Sequence, residues 1–468
     1  MSLIWERPSS CAGTNALSVI GPARCGGYGP PIAERLTLQL RRLCYALTVR
    51  TPLDHVVTRR LQDVVNDRLA VEPVLILQGP RAVGKSTLLN GLASSLDRGV
   101  TDLDDLATRD AVSADPGLFV RGPSPVLIDE FQHVPEVLDA IKAELNRDLR
   151  PGRFVITGST NYASLPEAAR RLTGRALRVD VLPLTQGEID ETHENFAAIL
   201  MQDPRSLIAG DSATSRDEYV ARVVAGGLPM ALRRSGASRA RWFDEYVSLV
   251  IERDVIQLSR VRQRQLLPRL LTQFASQTGQ VLNIAQAASA LGIDRSTAED
   301  YTKLLEAVFL ARRLPAWGTT LGSRVGAAPK VHIVDSGLAA RMLRQTEAKL
   351  RAASASAVTE FGHLLETFVV GEVSKQLGWL DEAVMFGHWR TRDGDEVDLV
   401  VEREDGKVVA VEAKAGSRVQ RKHLGGVMKL RSRLGSQFLG GVVLYTGVRS
   451  YSLEEDVHVL PIDRLWAS

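Results

Sequence analysis

The strongest constraint on the fold is a short apolar run, VLIL at 74–77, that leads through GPRAVGKS at 79–86 into the helical pattern STLLNGLASSL. Glycines at both ends of such a loop let backbone N–H groups curl around an anion, and the helix that follows adds the partial positive charge of its N-terminus. The spacing GxxxxGK[ST] in a strand–loop–helix setting predicts a triphosphate site. Gly79, Pro80, Arg81, Ala82, Val83 and Gly84 would wrap the phosphates, with Lys85 reaching the β- and γ-phosphates. Ser86 would ligate Mg²⁺, and Thr87 would stand beside it at the start of the helix.

A loop of this kind needs an acid on a neighbouring strand, and VLIDEF supplies Asp129 to hold Mg²⁺ and Glu130 to polarise the attacking water. RFVITGST reads as the next core strand, with Thr157 and Ser159 at its C-terminal end, where open α/β sheets place ligands. Either hydroxyl is a candidate γ-phosphate sensor. Arg175, in LTGRALRV, is a candidate arginine finger, acting in cis or from a neighbouring subunit of a homo-oligomer. Asp102 and Asp104 in TDLDDL either edge the site or form a solvated turn. Buried-looking strands alternate with helical patterns from 54 to about 201, which predicts a parallel sheet with covering helices.

These segments, together with LIDEFQHVPEVLDAIK, AGGLP, YTKLLEAVFLARRLPAW and PKVHIVDSGLAARML, resemble bacterial and archaeal AAA-like P-loop ATPases carrying a C-terminal domain of unknown function. The resemblance runs from about residue 54 to the end. It implies ATP as the nucleotide, a winged-helix region and a nuclease-like C-terminal region.

The chain is long enough for roughly three domains at about 150 residues each. We expect an N-terminal extension at 1–53, poorly ordered with one helix, and an ATPase domain at 54–205. A helical lid or linker at 206–265, a winged-helix-like domain at 266–350 and a nuclease-like α/β domain at 358–468 follow. The polar stretches at 202–218 and 352–358 read as linkers. A net charge of +3 does not argue for nucleic acid by itself, so any DNA-binding surface must be a local patch. Cys11, Cys25 and Cys44 lack metal-ligand spacing and point to a reducing cytoplasm. No apolar run approaches the roughly 18 to 20 residues that cross a bilayer, and the opening residues lack a signal-peptide pattern.

Near the C-terminus, EVDLVVEREDGKVVAVEAK at 396–414 places Asp398, Glu412 and Lys414 on a strand pair. Alternation puts Glu412 and Lys414 on one face. A three-residue loop, Glu404-Asp405-Gly406 with Gly406 left-handed, sets Asp398 opposite Glu412; a two-residue Asp-Gly loop sets it opposite Ala413 and spoils the convergence. The pattern resembles the restriction-endonuclease-like PD-(D/E)xK superfamily, with Val397 in the usual proline position. That resemblance implies that Asp398 and Glu412 bind Mg²⁺, that Lys414 positions the nucleophile, and that a Glu on the preceding helix, here Glu366, completes the metal site. Glu372 and Glu396 read as surface acids. Arg390, Arg392, Arg418, Arg421 and Lys422 flank the hairpin as candidate phosphate contacts, and Arg295 and Lys303 lie on the expected recognition helix. Two functions follow. One is an ATPase coupled to DNA binding or cleavage; the other is an ATP-dependent switch or scaffold for a protein partner, with a nuclease-like domain that does not cut.

Overall fold

The computed structural model describes residues 53–162, 171–255, 263–352 and 354–468, except 321, 323 and 325. The expected N-terminal extension, with all three cysteines, lies outside the described residues apart from Leu53.

The first apolar runs form a five-stranded parallel sheet: β1 (Val74–Gln78), β2 (Val100–Asp102), β3 (Val126–Asp129), β4 (Phe154–Gly158) and β5 (Ala176–Asp180), in the order β2-β3-β4-β1-β5. Every residue of β1, β3 and β4 is buried, as continuous apolar runs require when helices cover both faces. Helices α1 (Leu61–Leu69), α2 (Lys85–Leu96) and α3 (Val137–Arg147) pack against it. In α3, Val137, Leu138, Ile141 and Leu145 recur at helical spacing and are the buried stripe. Because β4 lies between β1 and β3, the phosphate loop, the acids after β3 and the hydroxyls after β4 meet at one edge.

The middle of the chain is mainly helical. Helix α4 (Arg216–Ala225) begins with a Ser215/Glu218 capping box, and α5 (Gly236–Leu249) runs into a π-helical turn at Val250–Val255. Then come α6 (Leu266–Ser276), β6 (Gln280–Val281), α7 (Ile284–Leu291), α8 (Arg295–Ala307), β7 (Ala311–Leu314) and β8 (Lys330–Ile333). The strands form a sheet in the order β6-β8-β7. Gly292 ends α7 in the left-handed conformation, and the Asp294 carboxylate caps α8 by accepting from Thr297 N–H.

The C-terminal region places α9 (Ala355–Leu377) and α10 (Gly425–Leu434) against a six-stranded mixed sheet. Its strands are β9 (Met385–Arg390), β10 (Glu396–Glu402), β11 (Val408–Lys414), β12 (Phe438–Tyr445), β13 (Tyr451–Glu454) and β14 (Val457–Pro461), in the order β13-β14-β12-β11-β10-β9. The β10–β11 turn takes the longer loop: Leu399 pairs with Val411 and Glu402 with Val408, and Gly406 has φ +77°.

Neither expected linker is a free tether. The 202–218 stretch lies on the C-terminal sheet: Ser212 N–H donates to Val448 O, Thr214 Oγ1 donates to Asp463, and Pro204 packs at Gly440. Ser354 caps α9 by accepting from Ala357 N–H, so the Ala/Ser run enters a helix. The described residues form one compact unit, bridged by contacts such as Tyr219 and Phe368 against Trp466.

Candidate functional site

The phosphate loop is shaped by backbone conformations that its sequence allows. Gly79 lies so close to Val181 that a Cβ would come within 2.1 Å of its carbonyl oxygen, and Gly84 has φ +97°. Ala82 is also left-handed, at φ +62°. Lys85 is buried and donates to the loop's own carbonyls, Gly79 O at 3.0 Å and Pro80 O at 2.9 Å. Burial lowers its pKa, against the pull of the nearby Glu130 and Asp129 carboxylates. Ser86 and Thr87 follow in the first turn of α2, half-buried and exposed respectively.

Asp129 closes β3, and its Oδ1 accepts from Thr157 Oγ1 and, at 3.1 Å, from Glu130 N–H. Thr157 therefore orients the acid. Glu130 is left-handed at φ +54°, and Gln132 Nε2 donates both to its carboxylate and, at 3.2 Å, to Ser159 Oγ. Gly158 leaves room for this segment, because a Cβ there would come within 2.8 Å of the Phe131 ring. Asp129, Glu130, Thr157 and Ser159 thus form one connected polar edge.

Two partners of the loop escaped the sequence reading because they come from distant segments. Arg59 donates to Val83 O at 2.9 Å, Leu182 O at 2.8 Å and Glu188 Oε1 at 2.9 Å. Asp254, buried in the π-helical turn, takes a two-pronged hydrogen bond from Arg81, Nε at 3.0 Å and Nη2 at 2.8 Å, while Tyr246 Oη donates to Arg81 O at 3.1 Å. The Arg81 side chain is therefore committed to the helical region, and only its backbone shapes the loop. Asp104 lies 3.0 Å from His133 Nε2 and pairs with Arg253 at 3.1 Å, so neighbouring side chains hold it rather than a free turn.

Arg175 requires a correction. It immediately precedes β5, whose first residue pairs with the first residue of β1, so it lies at the sheet edge opposite the phosphate loop. Five strand residues at about 3.3 Å each separate the two edges. Arg175 donates to Asn146 Oδ1 at 2.6 Å, and its placement excludes action in cis on the loop of its own chain.

In the C-terminal region, Asp398 and Glu412 face each other across β10 and β11. Glu412 Oε2 accepts from Asp398 N–H at 3.3 Å, and Asp398 Oδ2 accepts from Ala413 N–H at 2.9 Å. Lys414 Nζ is 2.5 Å from Glu412 Oε1. Burial first, and then the Asp398 charge, pushes Glu412 up to about 8. Glu366 reaches the same place from α9, and the same two causes push its carboxyl well up.

The two supposed surface acids are neither free nor peripheral. Glu396 joins Glu366 and Asp398, with one oxygen of each inside 4.8 Å of the others. Its strand parity with Asp398 was the available signal. Glu372 is buried and accepts from Gln186 N–H at 2.8 Å and Lys375 Nζ at 2.5 Å, tying α9 to the ATPase-side segment. At the centre of the Glu366–Glu396–Asp398 cluster sits the ammonium of Lys330, the first residue of β8, paired with all three. Two of the three expected metal ligands, Glu366 and Asp398, therefore already hold a protein cation, and a divalent ion does not fit between them while Lys330 is there.

The expected recognition helix, α8, carries balanced charge on its exposed side. Lys303 pairs with Asp300 at 2.9 Å, and Arg313 of β7 bridges Glu299 and Glu306. Around the hairpin, Arg390 faces Glu396 at 3.4 Å and Arg421 faces Glu454 at 2.8 Å, whereas Arg392, Arg418 and Lys422 are exposed. Among the described residues no helix is long and apolar enough to cross a membrane.

Comparison with known proteins agrees with the sheet and loop. An AAA domain family matches residues 71–190, and two domains of unknown function, DUF8612 and DUF4143, match 216–349 and 361–465. Residues 71–190 thus form an ATPase-like P-loop domain. An uncharacterized protein of Mycobacterium tuberculosis is 28% identical over 398 residues, covering 84% of this chain and 81% of that protein. An uncharacterized protein of Haemophilus influenzae is 23% identical over 220 residues, 45% of this chain and 50% of that one. Among solved structures, the Walker-type ATPase of Pyrococcus abyssi is 14% identical with a TM-score of 0.35, covering 63% of this chain and 97% of its own. The Thermotoga maritima RuvB Holliday junction branch migration motor is 17% identical with a TM-score of 0.27, covering 57% and 94%.

Proposed function

We propose that the chain is an Mg²⁺-dependent ATPase in which nucleotide state controls a winged-helix region and a restriction-endonuclease-like C-terminal domain that acts on DNA. The observation that carries the ATPase reading is the single polar edge made by Lys85, Asp129, Glu130, Thr157 and Ser159. The Ser86 hydroxyl and the Asp129 carboxylate are hard oxygen donors of the kind Mg²⁺ takes. When bound, the ion supplies charge neutralisation on the β- and γ-phosphates. Lys85 leaves the Gly79 and Pro80 carbonyls for the phosphates, and Glu130 leaves Gln132 to orient a water and accept its proton. Ser159 reads the γ-phosphate beside them.

The Arg81–Asp254 link connects this edge to the helical region, so a change in the loop is felt at the π-helical turn that precedes α6. Convergence of Asp398, Glu412 and Glu366 supports the nuclease-like reading, and exposed Arg392, Arg418 and Lys422 offer phosphate contacts. The antiparallel β7–β8 pair after α7 and α8, completed by β6 from before them, supports the winged-helix reading. The balanced charge on α8 argues against major-groove reading by that helix.

Full-length protein should hydrolyse ATP with Mg²⁺. Lys85→Ala should lose ATP binding, and Glu130→Gln should bind ATP but hydrolyse it slowly. Wild-type turnover by Glu130→Gln would remove the assigned base. Linear, nicked, branched and single-stranded DNA, each with and without ATP, tests the second half; binding or cleavage altered by Asp398→Ala is expected. The rival reading, a switch or scaffold whose nuclease-like domain does not cut, is favoured by one observation, the Lys330 ammonium among the acids. Unchanged DNA in every condition would select it.

A further inference from the structure

Lys330 and its acids come from different parts of the fold. The lysine opens β8 of the middle region, whereas Glu366 lies on α9 and Glu396 and Asp398 on β10. Lys330 is fully buried, with Nζ 2.6 Å from Glu366 Oε1 and 3.1 Å from Asp398 Oδ1, and it also pairs with Glu396. Three acid side chains from two other elements converge on its Nζ, which is the partnering a buried lysine side chain requires. A divalent ion bonding oxygens at about 2.1 Å needs the same carboxylate oxygens and the same space. The two cations also repel, so they exclude each other.

The surrounding seam is built to bring the lysine in. Gly279, left-handed at φ +73°, lets the turn before β6 press on α9; a Cβ there would come within 3.1 Å of His363 O and 3.2 Å of Glu366 Oε2. Thr278 Oγ1 and His332 Nδ1 both bond Thr367 Oγ1, at 2.9 and 3.1 Å, one residue beyond Glu366. The β7–β8 connection is fastened to the C-terminal sheet by Trp317 Nε1 and Arg324 Nη2, which donate to Glu402 at 2.8 and 2.7 Å. A buried ion pair rarely stabilises more than apolar packing of the same volume, and three acids on one cation are more than structural pairing needs.

We infer that Lys330 is the resident cation of the Glu366–Glu396–Asp398 cluster, and that seating of β8 keeps divalent metal out and the C-terminal domain closed. As a statement about regulation, this rests on the nuclease-like reading above; as a statement about metal exclusion, it is tested separately.

The test is Mn²⁺ binding to nucleotide-free full-length protein, followed by the electron paramagnetic resonance signal of free Mn²⁺. Wild type should show no Mn²⁺ site that depends on Asp398. Lys330→Ala should gain one site, at least about 30-fold tighter than any wild-type binding, and Lys330→Ala/Asp398→Asn should lose it. ATP-analogue binding serves as the control for folding. An Asp398-dependent site in wild type overturns the inference, as does a folded Lys330→Ala without a new site. If Lys330→Ala does not fold, Glu402→Ala decides, because it releases Trp317 and Arg324 while leaving Lys330 and the acids intact. A gain in Mn²⁺ affinity there supports exclusion by seated β8, and no gain overturns it. DNA incubated with metal-loaded Lys330→Ala separates the two readings: intact DNA beside a gained metal site removes the nuclease reading and leaves the exclusion standing.

Discussion

Removing the link between Arg81 and Asp254 should weaken nucleotide binding although neither side chain is assigned to the phosphates. Arg81 donates twice to a carboxylate whose side chain is 2% exposed, while the arginine side chain is 21% exposed. Breaking a wholly buried pair by deleting one partner costs about 3–5 kcal/mol. With one partner reaching solvent, about 2 kcal/mol is the better figure, and at 1.4 kcal/mol per factor of ten it corresponds to about 30-fold. Arg81→Met should therefore raise the Kd of a non-hydrolysable ATP analogue by about 30-fold. Asp254→Asn keeps one acceptor oxygen and should cost about 10-fold. The double variant should be no worse than Arg81→Met, because a broken link cannot be broken again. Fluorescence titration of all four proteins with Mg²⁺ present completes the cycle. Multiplicative losses, or single variants within about twofold of wild type, would refute the idea that Asp254 holds the loop.

Thr157→Val removes the hydroxyl that donates to Asp129, and the Mg²⁺ concentration for half-maximal ATPase activity should rise about 10-fold, as loss of an outer partner of a metal ligand does; an unchanged Mg²⁺ dependence rejects Thr157 as the orienting group. Glu194 is buried against Gly187 with Oε2 lacking a hydrogen-bond partner, and burial raises its pKa from 4.5 to about 7. The native state then binds more protons than the unfolded chain between those values, so this group's contribution to stability falls as pH rises from about 4.5 to 7. Glu194→Gln should remove that fall, gaining up to about 3 kcal/mol relative to wild type between pH 4.5 and 8, and identical pH profiles of Tm would rule it out. Arg175→Ala should leave the nucleotide Kd unchanged, with kcat reduced only at protein concentrations where wild-type activity rises with self-association; a kcat loss in dilute monomer contradicts its position at the far edge of the sheet.

The parts of the fold that the sequence disclosed are those whose cause is local. Gly79, Gly84 and Lys85 sit within a few residues of one another, and the strand–loop–helix conformation that suits a phosphate is encoded there. The β10–β11 turn was only half readable: Asp405-Gly406 suits a two-residue or a three-residue loop, and the structure takes the longer one, with Gly406 at φ +77° and Asp398 opposite Glu412. Arg59, Asp254 and Lys330 were not readable, since their partners lie 24 to 173 residues away and only the tertiary fold brings them together.

The buried charges share one property that the sequence does carry. Lys330 opens the apolar run KVHIV, Glu366 sits in HLLETFVV, Glu372 in VVGEVSKQL and Asp254 in LVIERDVI. A charge in such a segment is either at a solvated edge or buried with a partner, because burial alone is too costly. Counting them together changes the expectation for the C-terminal site. Acids at 366, 398 and 412 look like metal ligands when considered alone, but a lysine in an apolar strand also needs acids. One cluster answers both demands, so the same carboxylates that suggest a metal are the ones that let Lys330 be buried with its charge.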